Sequence, residues 1–134
     1  MATTTAWIMS ALLLSMVLAP VCNAQYKAIM TGSNERPAPE DAMEEGVLEV
    51  DTYPDHITYN MALESVSNLL VAHIHMGPES AAGPVVAFLL QPISPPISSP
   101  SLEFRGSINA TELVGPLMGQ PFSAFLQELK SGNT

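Results

Sequence analysis

Cysteine is nearly absent. The one thiol, Cys22, closes an apolar N-terminal stretch, so the body of the chain has no sulfur to form a disulfide, hold a metal or attack a substrate. Basic residues are also scarce. Four Lys and Arg against 13 Asp and Glu give a net charge of −9, which speaks against nucleic acid as a partner because such binding is built on cationic contacts to phosphate. There is no Gly-x-Ser-x-Gly elbow, no glycine-rich phosphate loop leading into a helix, and no internal repeat. Beyond the N-terminus no apolar run reaches bilayer length, and no C-terminal anchor pattern is visible.

The N-terminal stretch reads as a processing signal. Ala6 to Val21 is almost unbroken apolar sequence, strongest from Ala11 to Leu18, and too short to span a bilayer comfortably. Cys22-Asn23-Ala24 then supplies a small-x-small cleavage pattern, so residues 1–24 are expected to be a signal peptide and the mature chain to begin near Gln25. Residues 1–10 contain no Lys or Arg, leaving the α-amino group as the only positive charge ahead of the apolar run. The remaining 25–134 is enough for one domain with one core. Seven of the acids fall between Glu40 and Asp55; the plain reading is a solvated face, since their spacing does not follow a calcium loop.

Short β-type segments separated by turn residues make up most of the body. Tyr26 to Thr31 and Gly46 to Asp51 read as strands, with Gly32-Ser33-Asn34 and Pro37-Ala38-Pro39 as turn and loop between them. Ile57, Tyr59, Met61 and Leu63 alternate with Thr58, Asn60, Ala62 and Glu64, the period of a strand with one buried face. Val71 to Met76 follows, then a Gly77-Pro78 turn. Pro84 to Leu90 is continuously apolar and is expected to be covered on both faces. Gln91 to Ser101, with four prolines and four serines, is expected to be a loop or linker. Leu102 to Ile108 is expected to be a further strand, with Leu102, Phe104 and Ser107 as its patterned positions. The period then becomes helical: Phe122, Phe125, Leu126 and Leu129 are spaced for one face, with Pro121 at the start and Gly132 at the stop. Thr111 to Met118 can form a short helical turn limited by Gly115-Pro116.

Three segments together resemble the chordin-type CHRD family. Ala72-His73-Ile74-His75-Met76-Gly77, followed by Gly83-Pro84-Val85-Val86 and Leu89, is similar to the family's central strand and turn. Gly32, Glu35 and Pro37 are similar to its opening motif, and Thr111 to Leu117 to the segment before its helix. The resemblance implies a mainly β fold, an antiparallel Greek-key-like β-sandwich of the copper-zinc superoxide dismutase-like or immunoglobulin-like kind, with one amphipathic C-terminal helix. In the family a His-containing strand and one more strand follow that helix, whereas this sequence stops at Gly132-Asn133-Thr134. The comparison implies a C-terminally truncated domain with its last strands missing.

His73 and His75 stand two apart in an expected strand, so both imidazoles leave the same face while Ile74 faces the core. Such a pair can bite one copper or zinc ion, as His-x-His does in copper-zinc superoxide dismutases, although stable sites need three or four ligands. Glu79 is a candidate to complete a set, and His56 is the only other histidine. The competing reading makes each ring a hydrogen-bonding brace for the Gly77-Pro78 turn. Asn109-Ala110-Thr111 is a glycosylation sequon whose Asn and Thr can instead cap the following turn. Met30, Met43, Met61, Met76 and Met118 read as core filling. The expectation is a secreted, non-catalytic module with no cofactor, binding an extracellular protein or stabilising an assembly, with neither nucleic acid nor, after cleavage, a membrane as partner. Chordin's growth-factor antagonism does not carry over, because its cysteine-rich modules are absent here. The alternative is a copper- or zinc-binding protein on a dismutase-like sandwich.

Overall fold

A strand with one apolar face needs a second layer to cover it, and the computed structural model answers with two antiparallel sheets and a helix. It describes residues 24–31, 45–78, 83–132 and 134. Strands β1 (Ala24–Thr31), β2 (Glu45–Thr52), β3 (His56–Leu69) and β6 (Ile97–Asn109) form one sheet in the order β1-β2-β3-β6. Strands β4 (Ala72–His75) and β5 (Val85–Leu90) form the other. β6 returns to lie beside β3, the strand that precedes the excursion into the second sheet, which gives the connectivity its Greek-key character. The fold class is therefore mainly β, in two layers, with one C-terminal helix.

Register explains why this sequence accepts the larger sheet. Tyr26, Val50, Tyr59 and Gly106 lie in one cross-strand row, and Ala24, Thr52, Ile57 and Ile108 in another. These rows, and that of Leu48, Met61 and Phe104, face inward, where Val50, Ile57, Met61 and Ile108 are buried. Thr52, the buried polar residue of that face, donates its hydroxyl to the Ala24 carbonyl at 3.1 Å. The intervening rows face outward and are polar: Lys27, Glu49, Asn60 and Arg105, then Gln25, Asp51, Thr58 and Ser107. The alternation read from Ile57 to Glu64 thus assigns the correct face. In β6 the inward positions are Leu102, Phe104, Gly106 and Ile108, whereas Ser107 is exposed, so it does not belong with the apolar set.

The expected loop at 91–101 is half wrong. From Ile97 onward the chain is already strand β6, pairing through Ser99 opposite Val66 and Ser101 opposite Glu64. Among the described strands β6 is bonded to β3 alone, so Pro100, between those two pairs, can lack an N–H without breaking a two-sided ladder. Opposite it, β3 runs five residues past Glu64, with Ser65 (φ 56°) left-handed and Asn68 (φ 55°) left-handed where the register shifts between Val66 and Leu69.

β5 is covered on both faces, as its unbroken apolar run predicts. Val86 and Ala87 point to opposite sides and both are 0% exposed. After β6 come two 3-10 turns, Ala110–Glu112 and Gly115–Leu117, and then helix α1 (Phe122–Ser131). Pro121 precedes its first turn and Gly132 ends it in the left-handed conformation, its N–H reaching back to the last carbonyls. Phe122, Phe125 and Leu126 lie in the same core cluster as Ile57, Ile74 and Val86. Of the methionines, Met61 is core, and Met30 and Met76 pack against it. Met118 is 67% exposed, which corrects its reading as core filling, because the turn after Leu117 carries it outward. Met43 lies outside the described residues.

Candidate hairpin site

The smaller sheet carries the His-x-His signature. In β4, Ile74 is buried in the core while His73 and His75 are half-buried on the opposite side, their ring centroids 4.5 Å apart and the planes perpendicular. His73 also lies edge-on to Phe88, its cross-strand partner in β5, at 6.1 Å. The structure therefore brings the two histidines together on one face. His75 Nδ1 and the Gly83 carbonyl oxygen are 2.6 Å apart. A carbonyl only accepts, so Nδ1 is the donor, and this bond ties the end of β4 to the start of β5.

The rest of the signature is backbone architecture. Met76 N–H donates to the Pro84 carbonyl at 2.9 Å, and a side chain at Gly83 would overlap the Met76 carbonyl oxygen, so only glycine lets the two segments touch. Val86 is buried and its carbonyl accepts from Val114 N–H at 2.8 Å, which docks the segment between the two 3-10 turns on β5. Gly77 sits at φ 146°, and Ala72 is half-buried against the core. Gly32, Glu35 and Pro37 of the opening motif, and Glu79, lie outside the described residues.

Tyr59, read from the sequence only as one position of a buried face, joins the layers. Tyr59 of β3 donates its hydroxyl to the Leu89 carbonyl of β5 at 2.5 Å. Its ring crosses Gly106, directly opposite in β6, where a Cβ would collide with the phenol ring. The only signal available beforehand was Gly106 itself, since a glycine inside a strand often marks close approach. Burial, helped by the negative charge of Glu112, pushes the Tyr59 phenol above its ordinary range and keeps it a donor.

His56 stands apart, at the head of β3, where it stacks on Tyr53 at 4.5 Å with nearly parallel rings. Asp55 Oδ1 lies 2.7 Å from its Nδ1, and that hydrogen bond holds the Asp55 carboxyl below the usual range. Arg105 donates through Nε and Nη2 to Glu103 at 3.1 and 2.6 Å and lowers that carboxyl in the same way. Among the described residues, no three His, Cys, Asp or Glu side chains are grouped to hold a metal ion. Asn109 is exposed at the end of β6. Its Oδ1 accepts from Thr111 N–H at 2.9 Å and from the Thr111 hydroxyl at 2.7 Å, while Glu112 accepts from the Asn109 N–H, completing a capping box.

Residues 26–133 match the family model of the CHRD domain. No curated protein and no solved structure matches. CHRD domains occur in extracellular proteins, and no described helix is long and apolar enough to cross a membrane. With the family match running from β1 to the end of α1, the chain belongs to the CHRD domain family.

Proposed function

We propose that this protein is a secreted, non-catalytic module that binds another extracellular protein or braces a larger assembly through the outer face of its four-stranded sheet. One observation carries the reading: much of the signature is turned to internal construction. His75, Gly83, Pro84 and Val86 tie the hairpin together or dock it on its neighbours, and Ile74 fills the core. The broad surface left to solvent is the polar face bearing Lys27–Glu49 and Glu103–Arg105 pairs, with Ile29 at its margin 73% exposed. A polar surface with an apolar element among paired charges suits recognition of a protein surface. The family match and the N-terminal apolar run followed by Cys22-Asn23-Ala24 both support export.

The test begins with protein recovered from the medium of expressing cells. N-terminal sequencing is expected to find a start near Gln25, and a secreted mass raised by glycan at Asn109 is expected to fall on Asn109→Gln. Retention of Trp7 in a membrane-bound product would overturn the secreted reading. Photo-crosslinkers at Lys27 and Ile29 should then label one extracellular protein that a crosslinker at Ser131 on the helix does not. Equal labelling from both positions would remove the outer face as the binding surface.

A further inference from the structure

We propose that the outer face of the four-stranded sheet receives a basic protein segment, seated on an apolar stripe of Ile29, Val47 and Ala62 with its cations held by Glu45 and Glu64. This rests on the outer-face reading above and names the partner's chemistry. The stripe follows from register: Ile29 lies opposite Val47 and Val47 opposite Ala62, so the three share one cross-strand row. The next outward rows hold Lys27 and Glu49 on one side and Glu45 and Glu64 on the other. Ile29 is exposed, while Val47 and Ala62 are half-buried. Among the described residues the second layer packs on the opposite face, against Val50, Ile57 and Met61. At the usual spacing of neighbouring strands the stripe runs about 10 Å across the sheet, room for the side chains of one docked segment.

Charge selects the occupant. Glu45 and Glu64 stand directly opposite each other on that face, both exposed, and among the described residues neither is in an ion pair. Like charges in directly opposed positions destabilise a sheet, so a cation brought from outside removes a repulsion as well as adding an attraction. The chain is poorly supplied to provide that cation itself: of its four basic residues, Lys27 and Arg105 already pair with Glu49 and Glu103. A second copy of the chain fits badly, since each would bring a net charge of −9 to the contact. A basic segment with an apolar side chain satisfies both features, the apolar residue at the centre and the cations at the rim.

The probe is a synthetic peptide of alternating Lys and Leu, titrated into the ¹⁵N-labelled protein and followed by amide shifts, with Lys–Ser and Glu–Leu peptides alongside. The Lys–Leu peptide should bind tightest, moving the amides of Ile29, Val47 and Ala62 and leaving those of α1 in place. Ile29→Ser should weaken it about tenfold, and the double variant Glu45→Gln, Glu64→Gln about fivefold with a flatter salt dependence. Glu128→Gln, which removes a carboxylate from the helix instead, leaves affinity unchanged. The double variant should also unfold at a urea concentration no lower than wild type, because it relieves the Glu45–Glu64 repulsion, so its lost binding is not lost folding. Equal weakening by Glu128→Gln, or equal binding of the Lys–Ser peptide, overturns the proposal. If the Glu–Leu peptide moves the same amides as tightly, the outer face stands as the binding surface and the basic partner falls; shifts centred on α1 sink both. A dimer seen by sedimentation of the unliganded chain, and dissociated by Ile29→Ser, replaces the basic partner with a second copy.

Discussion

The two sheets reach stability by different routes. The four-stranded sheet is specified row by row, apolar side chains inward and paired charges outward, and its register follows from local alternation along each strand. The β4–β5 pair has two short strands with register shifts at both ends of β4, and a lone hairpin of that size is marginal in water. It is held by contacts from outside its own ladder: His75 to Gly83, Met76 to Pro84, Val114 to Val86 and Tyr59 to Leu89. The contrast teaches that His75, Gly83, Pro84 and Val86 of the motif supply contacts that the short β4–β5 ladder lacks.

Charge placed in the two sheets should separate these routes most sharply. Ile74→Asp removes a buried side chain and buries a carboxylate, and is expected to cost roughly 3–5 kcal/mol, enough to unfold a domain of ordinary stability. Ser107→Asp on the outward face of β6 should stay within about 0.5 kcal/mol. Urea titration compares them, together with a His73→Gln, His75→Gln double variant expected to fall between. If the double variant unfolds and Ile74→Asp does not, the facing of β4 is reversed.

Gly83→Ala is the next largest perturbation, because the added methyl meets the Met76 carbonyl and must push the hairpin ends apart. A loss of roughly 1–3 kcal/mol is expected, with hydrogen-exchange protection falling in β4 and β5 while β2 and β3 keep theirs. Uniform loss of protection would mean that the two sheets open as one unit.

Tyr59→Phe should have the smallest effect, about 1 kcal/mol for one hydrogen bond between layers. Its sign depends on pH in a defined way. The phenol is raised in the folded state, so its contribution is complete below the ordinary value of about 10 and is lost as pH rises through the elevated folded value. The stability gap between wild type and Tyr59→Phe should therefore close at high pH. A gap that stays constant through alkaline titration would show that the phenol does not ionise in that range.

The same contrast accounts for what was legible beforehand. β3 from Ile57 to Leu63 and α1 from Phe122 to Leu129 could be read because their neighbours in space are set by a short period along the chain. The start of β6 could not, since proline and serine argue against a strand until it is known to pair, among the described strands, with β3 alone. The far end of β3 escaped because left-handed Ser65 and Asn68 interrupt the alternation. For the site, spacing alone put His73 and His75 on one face. The Gly83 carbonyl that sets the tautomer of His75 lies across the hairpin, and Leu89 meets Tyr59 only after both sheets exist.

The return of β6 to β3 also orders events in time. β2 and β3 are joined by a tight turn in which Tyr53 N–H bonds the His56 carbonyl, so their pairing closes a very short loop. Met61 can meet Phe104 only after the whole β4–β5 excursion has been traversed, and that closure carries a larger entropic cost. During folding, β3 is consequently paired on one side well before the other, and its bare edge bears the apolar Met61 and Val66. Speed of β6 docking, rather than depth of the native well, then governs how long that edge can capture another nascent chain.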